Sequence, residues 1–155
     1  MKITILAVAR LGRGAEAMLA RDYAERASAA GRALGLGPID ILEVESKKPG
    51  KEAEADAILA AAPEGAYLIA CDEHGVAHPS RAFAERIAKL RDGGERRLVI
   101  VIGGADGLSP RILDAAREKM AFGVQTWPHA LVRAMLAEQI YRAVTILGGS
   151  PYHRD

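Results

Sequence analysis

Apolar and β-branched residues gather in four short runs, Ile3 to Val8, Ile39 to Val44, Ala66 to Ala70 and Arg97 to Ile102, with the length and composition of buried strands. Between them, Glu16 to Leu34, Lys51 to Ala62 and Ser80 to Arg91 are rich in alanine and charge, with apolar positions spaced for amphipathic helices. Four strands are expected, or five. Strand alternating with helix predicts an α/β domain with a mainly parallel sheet and flanking helices, because parallel neighbours need crossover connections. The intervening segments Glu45 to Gly50, which carries Lys47 and Lys48, and Asp72 to Pro79, which carries His74 and His78, read as loops at strand ends, where open α/β sheets hold their ligands.

The last third of the chain carries the chemistry. Leu98 to Ile102 runs into Gly103-Gly104-Ala105-Asp106-Gly107, then Leu108-Ser109-Pro110 and a helical stretch expected to reach Met120. Ser109 can cap the new helix, Pro110 suits its first position, and the glycines permit close approach of a ligand to bare backbone. The spacing matches neither the dinucleotide fingerprint G-x-G-x-x-G nor a phosphate-binding loop, so triphosphate hydrolysis is not indicated and a dinucleotide oxidoreductase ranks last. Phe122 to Trp127 leads into Pro128, which is expected to start a helix that places His129 and Arg133 one turn apart. The chain ends Gly148-Gly149-Ser150-Pro151-Tyr152-His153-Arg154-Asp155, a pliant lead into groups that could stack on an unpaired base and meet its negative charge.

Composition sets outer bounds. With 155 residues, half of them apolar and about a quarter charged, the chain is expected to form one domain spanning 1–155 with a buried core. No apolar run is long enough for a membrane span, the N-terminus lacks the pattern of a secretory signal, and the single Cys71 cannot form an internal disulfide, so a reducing cytoplasm is expected. A formal charge of +1 means that any contact with nucleic acid must be concentrated locally.

Along nearly its full length the sequence resembles the RlmH family of SPOUT-class methyltransferases. The likeness runs from Met1-Lys2-Ile3-Thr4-Ile5-Leu6-Ala7-Val8 through Ile102 to Leu108, and then to Pro128-His129, Arg133, Glu138-Gln139, Tyr141-Arg142-Ala143 and Tyr152-His153-Arg154. The resemblance implies a trefoil knot in the C-terminal part, S-adenosyl-L-methionine as cofactor with no metal, and a homodimer in which two chains share each site. It further implies methylation at N3 of a pseudouridine in 23S ribosomal RNA, on the ribosome. By the same resemblance the cofactor contacts fall on Cys71, Gly103, Phe122, Gly123, Val124, Gln125, Thr126 and Trp127. Phe122, Val124 and Trp127 would wall the adenine. Arg154, His153, Tyr152 and Arg142 become candidates to act on the reacting base, and His129 and Arg133 candidates for the RNA backbone. Two positions depart from the family: Cys71 stands where Leu is usual, and Val76 where relatives often carry Lys after the glycine. A binding module of the same fold that has lost catalysis is the alternative, disfavoured by the intact glycine loop.

Overall fold

A computed structural model describes residues 1–154. Five strands, β1 (Lys2–Val8), β2 (Ile39–Val44), β3 (Tyr67–Ala77), β4 (Arg97–Ile102) and β5 (Glu118–Ala121), form one sheet in the order β2-β1-β4-β3-β5. Every pairing is parallel. Four α-helices connect them, α1 (Ala15–Gly31), α2 (Lys51–Ala61), α3 (Ser80–Asp92) and α4 (Pro110–Ala115), and α5 (His129–Leu147) follows β5.

Strand side chains alternate between the faces, and the core divides accordingly. Ile3, Ile5, Ile69, Leu98 and Ile100 point to one side, where α1, α3 and α5 cover them with Ala24, Ile87, Leu136 and Ile140. Leu6, Val8, Ala70, Val99 and Val101 point to the other, beneath Ala55 and Ile58 of α2 and Ile112 of α4. The central strands β1 and β4 are apolar on both faces, so their sequences read as unbroken hydrophobic runs.

Two expectations change. The helix from Pro110 stops at Ala115, and Glu118–Ala121 pairs with β3 as the fifth strand instead of continuing the helix to Met120. The expected loop from Asp72 to Pro79 is largely an extension of β3: Cys71 and Val76 both stand opposite Met120, with Asp72 to Gly75 bulging between them. Gly75 is required there, since a Cβ would lie 2.5 Å from the Met120 backbone. Among the described residues, no helix is long and apolar enough to cross a membrane.

Candidate cofactor cleft and tail cluster

The carboxyl ends of β3, β4 and β5 open into a cleft of about 330 Å³, within the range of small-ligand sites. Three segments wall it: Cys71 to Glu73 at the bulge of β3, Gly103 to Leu108 after β4, and Phe122 to Trp127 after β5.

The glycine loop folds into a tight turn, with the Gly107 N–H donating to the Gly104 carbonyl at 3.1 Å and Gly107 at φ +76°. A Cβ on Gly103 would sit 2.7 Å from the Gly107 carbonyl carbon, so the turn itself excludes a side chain there. Ser109 caps α4 as expected: its Oγ accepts from the Arg111 N–H at 3.1 Å and donates to Glu52 Oε1 at 2.8 Å, fastening the loop to α2. The third segment is closed by the Trp127 indole, which donates to the Phe122 carbonyl at 3.1 Å.

Of the expected cofactor residues, Cys71, Gly103, Phe122, Gly123, Gln125, Thr126 and Trp127 line the cleft. Val124 does not. It is 98% exposed on the outer side of its turn and adds nothing to the apolar wall assigned to it. Desolvation pushes the Cys71 thiol up to about 12, so it stands in the cleft as a small neutral group. Asp72 and Glu73, in the segment read as a ligand-holding loop, supply carboxylates, while Met120 and Val132, not foreseen, add apolar surface.

The two residues expected at RNA separate. His129 lines the cleft, and its Nδ1 is buried without a hydrogen-bond partner among the described residues. Burial first, and then the neighbouring Arg133 charge, hold its pKa below the ordinary imidazole value. Arg133, by contrast, has 0% exposure. Its Nη1 meets Glu43 Oε1 at 2.9 Å and its Nη2 donates to the Val8 carbonyl, so it braces the ends of β1 and β2 and does not reach solvent. Glu43 in turn accepts from the Leu11 N–H at 3.1 Å. Glu43, one of the two carboxylates in the otherwise apolar run of β2, was the sequence signal for this brace.

The C-terminal tail folds back on its own chain. The Gly148–Ser150 lead is a hydrogen-bonded helix end, with the Ser150 N–H donating to the Thr145 carbonyl at 2.9 Å. Tyr152 stacks edge-on against Tyr141 at 4.7 Å, with the Arg142 guanidinium 4.9 Å from its ring centre. Its hydroxyl donates to Glu138 Oε1 at 3.0 Å. Burial, then hydrogen bonds to Tyr23 and Glu138, push its pKa above the usual phenol range, so the hydroxyl keeps its proton. Arg142 pairs with Glu138 and lies 3.2 Å from His153 Nδ1. Because a guanidinium only donates, that nitrogen is the acceptor and the ring proton belongs on Nε2. Arg154 is exposed, and Asp155 lies outside the described residues.

Tyr152, His153 and Arg142 are thus brought together, but away from the cleft. Val132, the last cleft-lining residue on α5, stands ten positions before Arg142, about 15 Å along a helix.

An all-parallel α/β domain whose strand ends hold a glycine-walled cleft, with a final helix and tail packed beside it, matches the family described as "Predicted SPOUT methyltransferase" over residues 1–153, and the chain belongs to that family. Its curated relatives are more specific. The chain is 72% identical, over 100% of its own length and 99% of the other's, to a Caulobacter vibrioides protein named Ribosomal RNA large subunit methyltransferase H. Proteins of the same name from Phenylobacterium zucineum and Ruegeria pomeroyi are 64% identical (100% of each chain) and 52% identical (99% of each).

Proposed function

We propose that this protein transfers the methyl group of S-adenosyl-L-methionine to N3 of a pseudouridine in 23S ribosomal RNA, acting in the cytoplasm on the assembled ribosome as a homodimer. The observation that carries the reading is the cleft walled by three loops around bare glycine backbone, in a chain that matches a ribosomal RNA methyltransferase end to end. The residues present fit the cofactor. Backbone lining the cleft at Gly103, Phe122, Gly123 and Gln125 to Trp127 suits an adenine edge, Phe122 and Trp127 offer its faces apolar surface, and Asp72 and Glu73 complement a cation. Among the described residues, no cluster of His, Cys, Asp and Glu could hold a metal.

When bound, the cofactor supplies an electrophilic methyl on a sulfonium. The chain must align an attacking nitrogen with it and exclude water. The nitrogen of the base is a weak nucleophile while protonated, and Arg154 and Arg142 are suited to stabilise the anionic base. His153 is suited to accept a proton once its contact with Arg142 is exchanged for substrate. Tyr152, which stays protonated, is suited to stack and orient. His129 remains a candidate for RNA or ligand contact, with its unpartnered nitrogen at the cleft wall. A tail packed about 15 Å along α5 from the cleft wall of its own chain supports a shared site, in which one chain's cleft receives the other's tail.

The test is a methyl-transfer assay with isotopically labelled cofactor on ribosomes from cells lacking the endogenous modification, followed by mapping of the labelled nucleotide. Label at one 23S pseudouridine is expected. No incorporation into any RNA, despite measurable cofactor binding, would favour the non-catalytic binding module.

A further inference from the structure

We infer that the loops after β1 and β2 form a preorganised shelf for the RNA sugar-phosphate backbone beside the cofactor cleft, with Arg10, Lys47 and Lys48 as its contacts. The inference rests on the proposed RNA substrate and extends it to a surface outside the cleft.

Charge is the first argument. Residues 9–14 and 45–51 contain Arg10, Arg13, Lys47, Lys48 and Lys51 against the single carboxylate of Glu45, in a chain whose formal charge is only +1. Lys47 and Lys48 are exposed, and neither makes an ion pair among the described residues. Arg10 pairs with Glu45 at 3.2 Å, both well exposed, a contact weak enough to exchange for phosphate.

Position is the second. The two loops enclose an open trough lined by Arg10, Ser46, Lys47 and Lys48, with Glu45 and Glu54 also on its wall and Glu43 there taken up by Arg133. The trough shares a wall with the cofactor cleft, because the Glu54 carboxylate lies directly against Gly104, 2.9 Å from where a Cβ would stand. In the sheet, β2 and β4 flank β1, which puts the shelf about 10 Å from the glycine loop, or two strand spacings. A nucleotide beside the target base can therefore rest there while the base enters the cleft.

Rigidity is the third. The Leu11 N–H is held by Glu43, the Gly12 carbonyl accepts from Arg21 at 2.9 Å, and Ser46 Oγ donates to the Lys48 carbonyl at 2.7 Å while accepting from its N–H at 3.2 Å. Beneath them the buried Arg133 anchors Glu43 and the end of β1. Loops ordered in advance pay less to bind.

The test compares wild type with the triple variant Arg10→Gln, Lys47→Gln, Lys48→Gln, using a single-stranded RNA oligonucleotide and intact ribosomes as probes. Cofactor affinity and thermal melting are measured on the same samples. The slope of log affinity against log salt for the oligonucleotide should fall by about 2, since each single-strand phosphate contact contributes roughly 0.7. Cofactor affinity should hold, and KM for ribosomes should rise roughly tenfold to a hundredfold near 0.1 M salt. Should the triple variant not fold, Lys47→Gln alone should lower the slope by about 0.7. Equal slopes, or no salt-dependent binding by wild type, would overturn the shelf. Weakened ribosome binding with unchanged oligonucleotide binding would also overturn it, assigning the surface to a ribosomal protein. Wild type that binds the oligonucleotide yet methylates no RNA would sink the proposed function while leaving the salt comparison standing.

Discussion

Arg133 carries a full charge with no exposed surface, and its worth comes from what it holds. Replacing it with Met leaves Glu43 without its partner and the Val8 carbonyl without a donor, and should cost about 3 kcal/mol, read from urea unfolding. A loss below about 1 kcal/mol would show that the brace is replaceable by packing alone. His129 is harder to protonate than an ordinary imidazole. With its folded pKa lowered, the unfolded chain takes up the proton first, so stability should decline as pH falls below about 6.5. His129→Gln should flatten the stability profile below that pH; an unchanged slope would place the titration elsewhere. At Gly103 the expectation from sequence was that a side chain would fill the ligand's space. The structure adds that even Ala meets the Gly107 backbone, so Gly103→Ala should already abolish cofactor binding in calorimetry by distorting the turn.

Elements differ in how openly the sequence declares them. The four apolar runs became β1 to β4, unmistakably so for β1 and β4, which are buried on both faces, and Ser109-Pro110 announced α4 by its capping chemistry. β5 was missed for a physical reason. Glu118-Lys119-Met120-Ala121 has the composition of a helix, and only pairing with β3 makes it a strand. The cleft was legible where it is built of backbone, at Gly103 and after β5, and its Asp72 to Pro79 wall was expected as a loop, not as a bulge within β3. Strand order and register describe neighbours, not threading, so the trefoil expectation rests on family membership. The tail was read as pliant, yet Tyr152 packs on Tyr141. Deleting 152–155 should therefore cost about 1 kcal/mol through the lost aromatic contacts, leave cofactor affinity near wild type, and nearly eliminate methyl transfer. A parallel loss of cofactor affinity would mean that the tail organises the cleft.

At the scale of the molecule, a shared site makes a sharp demand on mixed dimers. A Gly103→Val chain and a chain lacking 152–155 should each be inactive alone. After subunit exchange in equal amounts they should recover roughly a quarter of wild-type activity, since half the dimers are mixed and each mixed dimer has one of two sites complete. No recovery after verified exchange would return both parts of the site to one chain. The arrangement of the helices has a further consequence. The first helix packs on the last: Tyr23 and Tyr141 meet at 5.8 Å, and the alanines Ala20, Ala24 and Ala27 are covered in the same core as Ala137 and Ile140. During synthesis α1 therefore emerges long before its cover exists, and the cleft waits for the segment after β5. A nascent chain that has not yet released α5 holds neither a finished core nor the α5 part of the cleft wall. A product lacking α5 would expose the alanine face of α1 for chaperones and proteases to recognise.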